Sequence, residues 1–142
     1  MACNRMRIAL IILLLYLSIN TICMGEFLSN YQFKKTIAID LDGVLDEYTG
    51  KYNANKIPDI RNGAKEFIIK LSKDYKLILF TTRDSKLAKE WLIKNHIDKY
   101  FSDITSTKPL AYIYLDDRAL KFDGNYDDTL NAIKNYKVYW KI

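Results

Sequence analysis

The chain is 142 residues long, 49% hydrophobic and 27% charged, with a formal net charge of +5. That length suits one domain with an ordinary core, and the balance of apolar and charged residues excludes a disordered chain. Lys is interleaved with Asp and Glu instead of being gathered into a track. The charge therefore supports weak attraction to phosphorylated or acidic substrates, and no stable binding of nucleic acid is expected.

Residues 1–25 stand apart. Arg5 and Arg7 precede an apolar run from Ile8 to Leu17, followed by the more polar SINTICMG. A basic flank, an apolar stretch and then small residues is the layout of a secretory signal peptide, with Cys23 and Gly25 suited to the −3 and −1 positions before Glu26. The run is short of the roughly 20 residues a spanning helix needs. A membrane anchor is the alternative if the stretch is extended to Met24 past Ser18, Asn20 and Thr21. Ile22 before Cys23 is too bulky for a lipoprotein box. A third reading starts the protein at Met24. The first two make it secreted, periplasmic or attached to a membrane through this segment; the third makes it cytoplasmic. Residues 26–142 form one domain in each case.

Both cysteines, Cys3 and Cys23, fall in that leader, and His96 is the single histidine. The rest of the chain thus has no disulfide, zinc–thiolate site or cysteine nucleophile. A His cluster and a Ser-His-Asp triad are excluded as well. Carboxylates, Lys, Arg and hydroxyls must carry any chemistry.

From Lys35 onward short apolar runs alternate with helical patterns, which predicts a parallel sheet with crossover helices, an α/β fold. Thr36–Asp40 is a first buried strand, and Gly43–Pro58 a long loop. Asp59 to Lys73 carries Ala64, Phe67, Ile68 and Leu71 on one helical face. Lys76–Thr81 is a second strand, continuously apolar as a strand buried on both faces should be. Ser85–Asn95 is a second helix with Leu87, Ala88, Trp91 and Leu92 inward. Phe101–Ile104 reads as a short strand and Ala111–Asp116 as a stronger one. Asp127–Asn135 is a final helix and Lys137–Trp140 a last strand.

In open α/β sheets ligands bind beyond the carboxyl ends of the strands. Asp40 and Asp42 follow the first run, Thr81, Thr82 and Arg83 the second, and Asp116, Asp117 and Arg118 the fourth. Lys108 and Pro109 come just before that fourth run. In extended backbone Asp40 and Asp42 project to the same side, where their repulsion calls for a cation. Mg²⁺ takes oxygen ligands from one or two carboxylates and a phosphate. Four carboxylates are nearly balanced by one such ion and Lys108, and Arg83 would offset an entering phosphate dianion. Taken singly, each piece has a plainer use. Acidic pairs cap helices, Thr82 or Asp84 would cap the helix at Ser85, and Lys108-Pro109 makes a turn. Arg118 fits an ordinary surface group. His96 suits a helix end. Asp123–Asp128 lacks the Gly and Glu of a calcium loop and reads as a turn and cap. The ordered set is what points to chemistry.

IAIDLDGVL resembles the first signature of the haloacid dehalogenase superfamily, Asp-x-Asp-Gly-x-Leu/Thr after an apolar strand. Thr81 matches the second signature, Lys108 the third and the Asp116-Asp117 pair the fourth, over Lys35 to about Tyr126. The stretch TKPLAYIYLDDRALKF resembles small phage and bacterial members of unknown substrate. The resemblance implies a Rossmann-like three-layer α/β fold with a central parallel sheet and a Mg²⁺-dependent phosphatase. Asp40 would be the nucleophile that forms an aspartyl-phosphate, and Asp42 the general acid and base. Thr81 would bond the phosphoryl oxygens, and Lys108 would neutralise charge. Mg²⁺ would sit on Asp40, the backbone carbonyl of Asp42, and Asp116 or Asp117, with Thr82 as a substrate contact and Arg83 and Arg118 either contacting substrate or supporting the groups that do. The spacing leaves no room for a cap domain, and the Gly43–Pro58 loop, with Tyr48 and Tyr52, is either a lid or a plain connection. The substrate would be a phosphorylated small molecule or the phosphorylated end of a macromolecule. The competing reading is a non-enzymatic phosphoacceptor or interaction module of the same topology, like a receiver domain. Such a module carries its Asp on a middle strand, where LILFTTR has none. A degenerate, inactive member used for interaction is disfavoured, because the reactive residue of each signature is present.

Overall fold

The computed structural model describes residues 33–140. The leader, with both cysteines and the alternative start at Met24, lies outside them. Among the described residues no helix is long and apolar enough to cross a membrane.

Strands β1 (Thr36–Ile39), β2 (Lys76–Phe80), β3 (Phe101–Thr105) and β4 (Ile113–Leu115) form one parallel sheet in the order β3-β2-β1-β4. With helices α1 (Ala64–Asp74), α2 (Ser85–Lys94) and α3 (Tyr126–Lys134), the architecture is α/β and Rossmann-like. The two central strands are the most apolar ones. Ile37–Ile39 and Leu77–Leu79 are buried at every position, as strands covered on both faces must be. Ile37, Ile39, Leu77 and Leu79 join Ala64 and Ile68 of α1 and Ala88, Trp91 and Leu92 of α2 in one core. Both crossover helices therefore pack on the same face. The return from β3 to β4 is made by residues 106–112 without a helix.

The helix expected from Asp59 begins at Ala64. Residues 59–61 are committed elsewhere: Glu47 N–H bonds Asp59 O at 2.9 Å and Arg61 N–H bonds Leu45 O at 2.8 Å. Asp46 and Ile60 form an antiparallel bridge between them. Those bonds claim the backbone that a longer helix would use, and the loop after β1 is stapled to the start of α1. Phe67, expected inward, is 42% exposed, whereas Ala64 and Ile68 carry the buried face.

Asp84 caps α2, its carboxylate accepting from Leu87 N–H at 2.9 Å. At the other end His96 has φ 58°. His96 N–H bonds Ile93 O at 2.9 Å and Ile97 N–H bonds Leu92 O at 3.0 Å. This is a Schellman ending, with Leu92 and Ile97 both buried in the core at the positions such an ending pairs. His96 is thus a helix-end residue, as its position suggested.

Strand β3 is an edge and carries an irregularity between Leu77 and Ile78 of its neighbour. Ser102 is the extra residue, and its hydroxyl donates to Leu77 O at 2.9 Å. Such a bulge discourages further pairing at an edge. Strand β4, expected over Ala111–Asp116, keeps a ladder only over Ile113–Leu115. Asn125 caps α3 through Asp127 and Asp128 N–H, which makes Asp123–Asp128 the turn and cap expected. The strand expected at Lys137–Trp140 is absent: that segment turns, and its rings are drawn to the loop after β1.

A candidate metal centre at the strand ends

Strands β1 and β4 are neighbours, and Asp40 N–H extends their ladder by bonding Leu115 O at 2.9 Å. That bond places Asp40 beside Asp116 at the carboxyl edge of the sheet. One carboxylate oxygen from each of Asp40, Asp116 and Asp117 lies within 4.8 Å of the others. The donors are all hard oxygens, a set that suits magnesium, calcium or manganese. Burial is the main reason Asp40 is pushed up to about 7, opposed by its bond from Leu41 N–H and reinforced by the charges of Asp116, Asp117 and Asp42. Crowded carboxylates of this kind are relieved by a cation.

The cation the site holds of its own is Arg118. Its Nε donates to Asp117 Oδ1 at 3.1 Å, and its Nη2 stands 3.8 Å from Asp40 Oδ2. Asp116 Oδ1 accepts from Arg118 N–H at 2.7 Å, which fixes the turn that presents both acids. Arg118, which taken singly fitted an ordinary surface group, is therefore built into the cluster.

Asp42 does not join the three. After Asp40 the chain leaves the strand and turns, Leu45 N–H bonding Leu41 O at 3.0 Å. The same-side projection expected for extended backbone is lost. Asp42 is buried, and both of its oxygens accept from Arg83 Nε at 3.0 Å. Arg83 is 3% exposed. It also bonds the carbonyls of Asn53 and Lys56 and lies under the Tyr52 ring at 4.5 Å. Thr81 is buried at the end of β2, and its hydroxyl oxygen accepts from Arg83 N–H at 3.2 Å. Thr82 is exposed. Lys108 is exposed too, with its ammonium 4.7 Å over the Tyr114 ring, and makes no ion pair with the three carboxylates.

Two parts of the site escaped the motif order. Asp46 is fully buried; its Oδ1 accepts from Gly43 N–H at 2.8 Å and Tyr48 N–H at 3.1 Å, while Oδ2 has no partner. Burial pushes it up to about 6, against those two bonds. Its sequence signal was an Asp just beyond Gly43 in a turn, a common place for a side chain to bond backbone. The other part is Tyr136, Tyr139 and Trp140, in a segment where Tyr136, Val138 and Trp140 recur at the two-residue period of a strand.

No family model matches the chain, and neither a curated protein nor a solved structure matches it.

Proposed function

We propose that the protein is a divalent-cation-dependent phosphatase of the haloacid dehalogenase type, hydrolysing a phosphate monoester through Asp40. The convergence of Asp40, Asp116 and Asp117 at the carboxyl edge of a parallel sheet carries this reading. Asp40, Asp116 or Asp117, and the backbone carbonyl of Asp42 would hold the ion, with Mg²⁺ the first choice. The ion would supply positive charge between the carboxylates and the phosphate oxygens.

The chain's own groups divide the remaining work. Asp40 attacks phosphorus as the ester oxygen leaves, giving an aspartyl-phosphate. Asp42 hands its proton to that leaving oxygen and then takes one from the water that splits the intermediate, which frees phosphate and restores Asp40. Asp42 Oδ1 accepts from both Nε and Nη2 of Arg83 and Oδ2 from Nε alone, which leaves Oδ2 the less engaged oxygen for this work. The Thr81 hydroxyl already accepts from Arg83 N–H, so its own proton is free for a phosphoryl oxygen. Arg118, beside Asp40, offsets the incoming dianion, and Lys108 serves it after leaving the Tyr114 ring. Thr82, exposed beside Thr81, completes the substrate side, while the buried Arg83 holds Asp42 in place from behind. The substrate is a phosphorylated small molecule or a phosphorylated macromolecule end.

The test is release of phosphate from p-nitrophenyl phosphate and a panel of phosphate esters, with and without Mg²⁺. Turnover that needs the ion and vanishes in Asp40→Asn is expected. A folded protein that takes up one phosphoryl group on Asp40 without turnover would instead be a phosphoacceptor module, and one inert in both assays would end the reading.

A further inference from the structure

The segment after α3 reaches the acidic cluster from outside the motifs. The Trp140 indole N–H donates to Oδ2 of Asp117. Its ring is seated in a slot floored by backbone. A Cβ added at Gly50 would stand 2.8 Å from Trp140 Cζ3, and one added at Gly43 would stand 2.9 Å from Trp140 Nε1 and 2.5 Å from Asp117 Oδ2. Both glycines also have positive φ, 89° at Gly50 and 84° at Gly43. Each position thus admits glycine for two reasons, its backbone angle and the lack of space. Tyr48 closes the slot edge-on with its centroid 5.2 Å from the indole. Two hydroxyls fasten the same segment: Tyr136 donates to Asp117 O at 2.9 Å, and Tyr139 donates to Gly43 O.

Asp117 is consequently held on both oxygens, by Trp140 at Oδ2 and by Arg118 at Oδ1. Its side chain has no exposed surface. An indole is a donor without charge and without an acceptor. It can fix the rotamer of a carboxylate without adding a cation that competes with a bound one. Carboxylates that ligate metals are commonly oriented by donors of this kind, behind the ligands themselves.

We propose that Trp140 is a positioning residue of the metal centre, its indole N–H holding Asp117 in the rotamer that faces Asp40 and Asp116. The inference rests on the cation reading of that cluster and adds the residue that orients one of its ligands. Of the two candidate ligands from the fourth motif, Asp117 would be the one so held toward the ion, and Trp140 would orient it without touching the ion.

The full chain, titrated with Mn²⁺ and with Mg²⁺ by calorimetry, tests this. Trp140→Phe keeps a ring in the slot and removes the donor, and affinity is expected to fall about 10- to 100-fold. Tyr139→Phe removes the neighbouring anchor to Gly43 and is expected to lower the ion-free melting temperature while leaving ion affinity within about twofold. Trp140→His at pH 8, which restores an N–H donor, should recover part of the lost affinity. Gly50→Ala pushes the indole from its seat and serves if Trp140→Phe does not fold; it should weaken the ion in the same way. Unchanged affinity in Trp140→Phe, or an equal loss in Tyr139→Phe, overturns the inference while leaving the cation reading intact. A wild-type chain that binds neither ion overturns both.

Discussion

Arg83 reaches Asp42 from 41 residues away in sequence and ties three elements with one guanidinium. Its Nε and Nη2 bond the Asp42 carboxylate at the end of β1, and its Nη1 bonds Asn53 O and Lys56 O in the following loop. The side chains are 1% and 8% exposed. Desolvation makes such a pair weak evidence for net stability, but removing one partner leaves an uncompensated buried charge. Arg83→Ala is therefore expected to cost about 3–5 kcal/mol in urea unfolding. Adding Asp42→Asn to it should recover part of that loss. Arg83→Lys keeps the charge without the planar fork and should fall between. If Arg83→Ala stays within about 1 kcal/mol of wild type, the level of an exposed pair, the clamp contributes no more than a surface contact.

The end of α2 supplies a second test, remote from the site. His96 holds the left-handed position of a Schellman ending, where glycine is usual. A side chain there costs roughly 1–2 kcal/mol, partly returned because glycine loses more chain entropy on folding. His96→Gly should stabilise the protein by about 0.5–1 kcal/mol, read as a rise in denaturation midpoint at unchanged slope. His96→Val, β-branched at the same angle, should destabilise it.

What could be read beforehand follows from range along the chain. Runs such as Thr36–Ile39 and Lys76–Phe80 are apolar at successive positions, so their strand state and burial are local facts. The parallel pairing of β1, β2 and β3 follows from the helices lying between them, whereas β4 is reached without one. Asp40, Asp116 and Asp117 were legible because each sits immediately after a strand. Asp42 was misplaced because a turn beginning at Leu41 breaks the two-residue period, and turn geometry depends on Asp46, which the motif did not include. The start of α1 was missed for a similar reason, since residues 59–61 bond backward to residues 45–47. Trp140 is the extreme case. Its partners Gly43, Gly50 and Asp117 are distant in sequence, and period-2 patterning cannot tell a strand from a segment whose rings reach a loop.

Asp46 allows a prediction about that loop. Its Oδ1 is the acceptor for two amides, Gly43 and Tyr48, in a buried setting. Asp46→Ala strands both donors at about 1–3 kcal/mol each, so a loss of several kcal/mol is expected at pH 7. Asp46→Asn preserves an acceptor oxygen at Oδ1 and should lose much less. Guanidinium unfolding of the two variants side by side decides this. Equal losses would mean that the two bonds are not what holds the turn.

Asp40 gives the protein a pH dependence of opposite sign to that of a salt-bridged acid. Its folded value is raised from 3.8 to about 7, chiefly by burial and then by the neighbouring acids. Between those values the unfolded chain has released the proton while the native state still binds it. Stability of the ion-free protein should therefore decline as pH rises from about 4 to about 7, and level off above. The full span corresponds to up to about 4 kcal/mol. Asp46 contributes a similar decline that ends near pH 6, since it is raised to about 6. Asp40→Asn removes the first contribution and keeps the second, so the difference between wild type and variant isolates Asp40. The variant should be the more stable protein at pH 8 without divalent ions, with the difference closing toward pH 4. On the proposed cation site, millimolar Mg²⁺ should reverse the order at pH 8, because an ion held by the native carboxylates and not by the unfolded chain stabilises the folded state. Denaturation midpoints measured from pH 4 to pH 8, with Mg²⁺ and with chelator, provide the comparison. A wild-type curve that rises through this interval would show that burial does not hold the Asp40 proton.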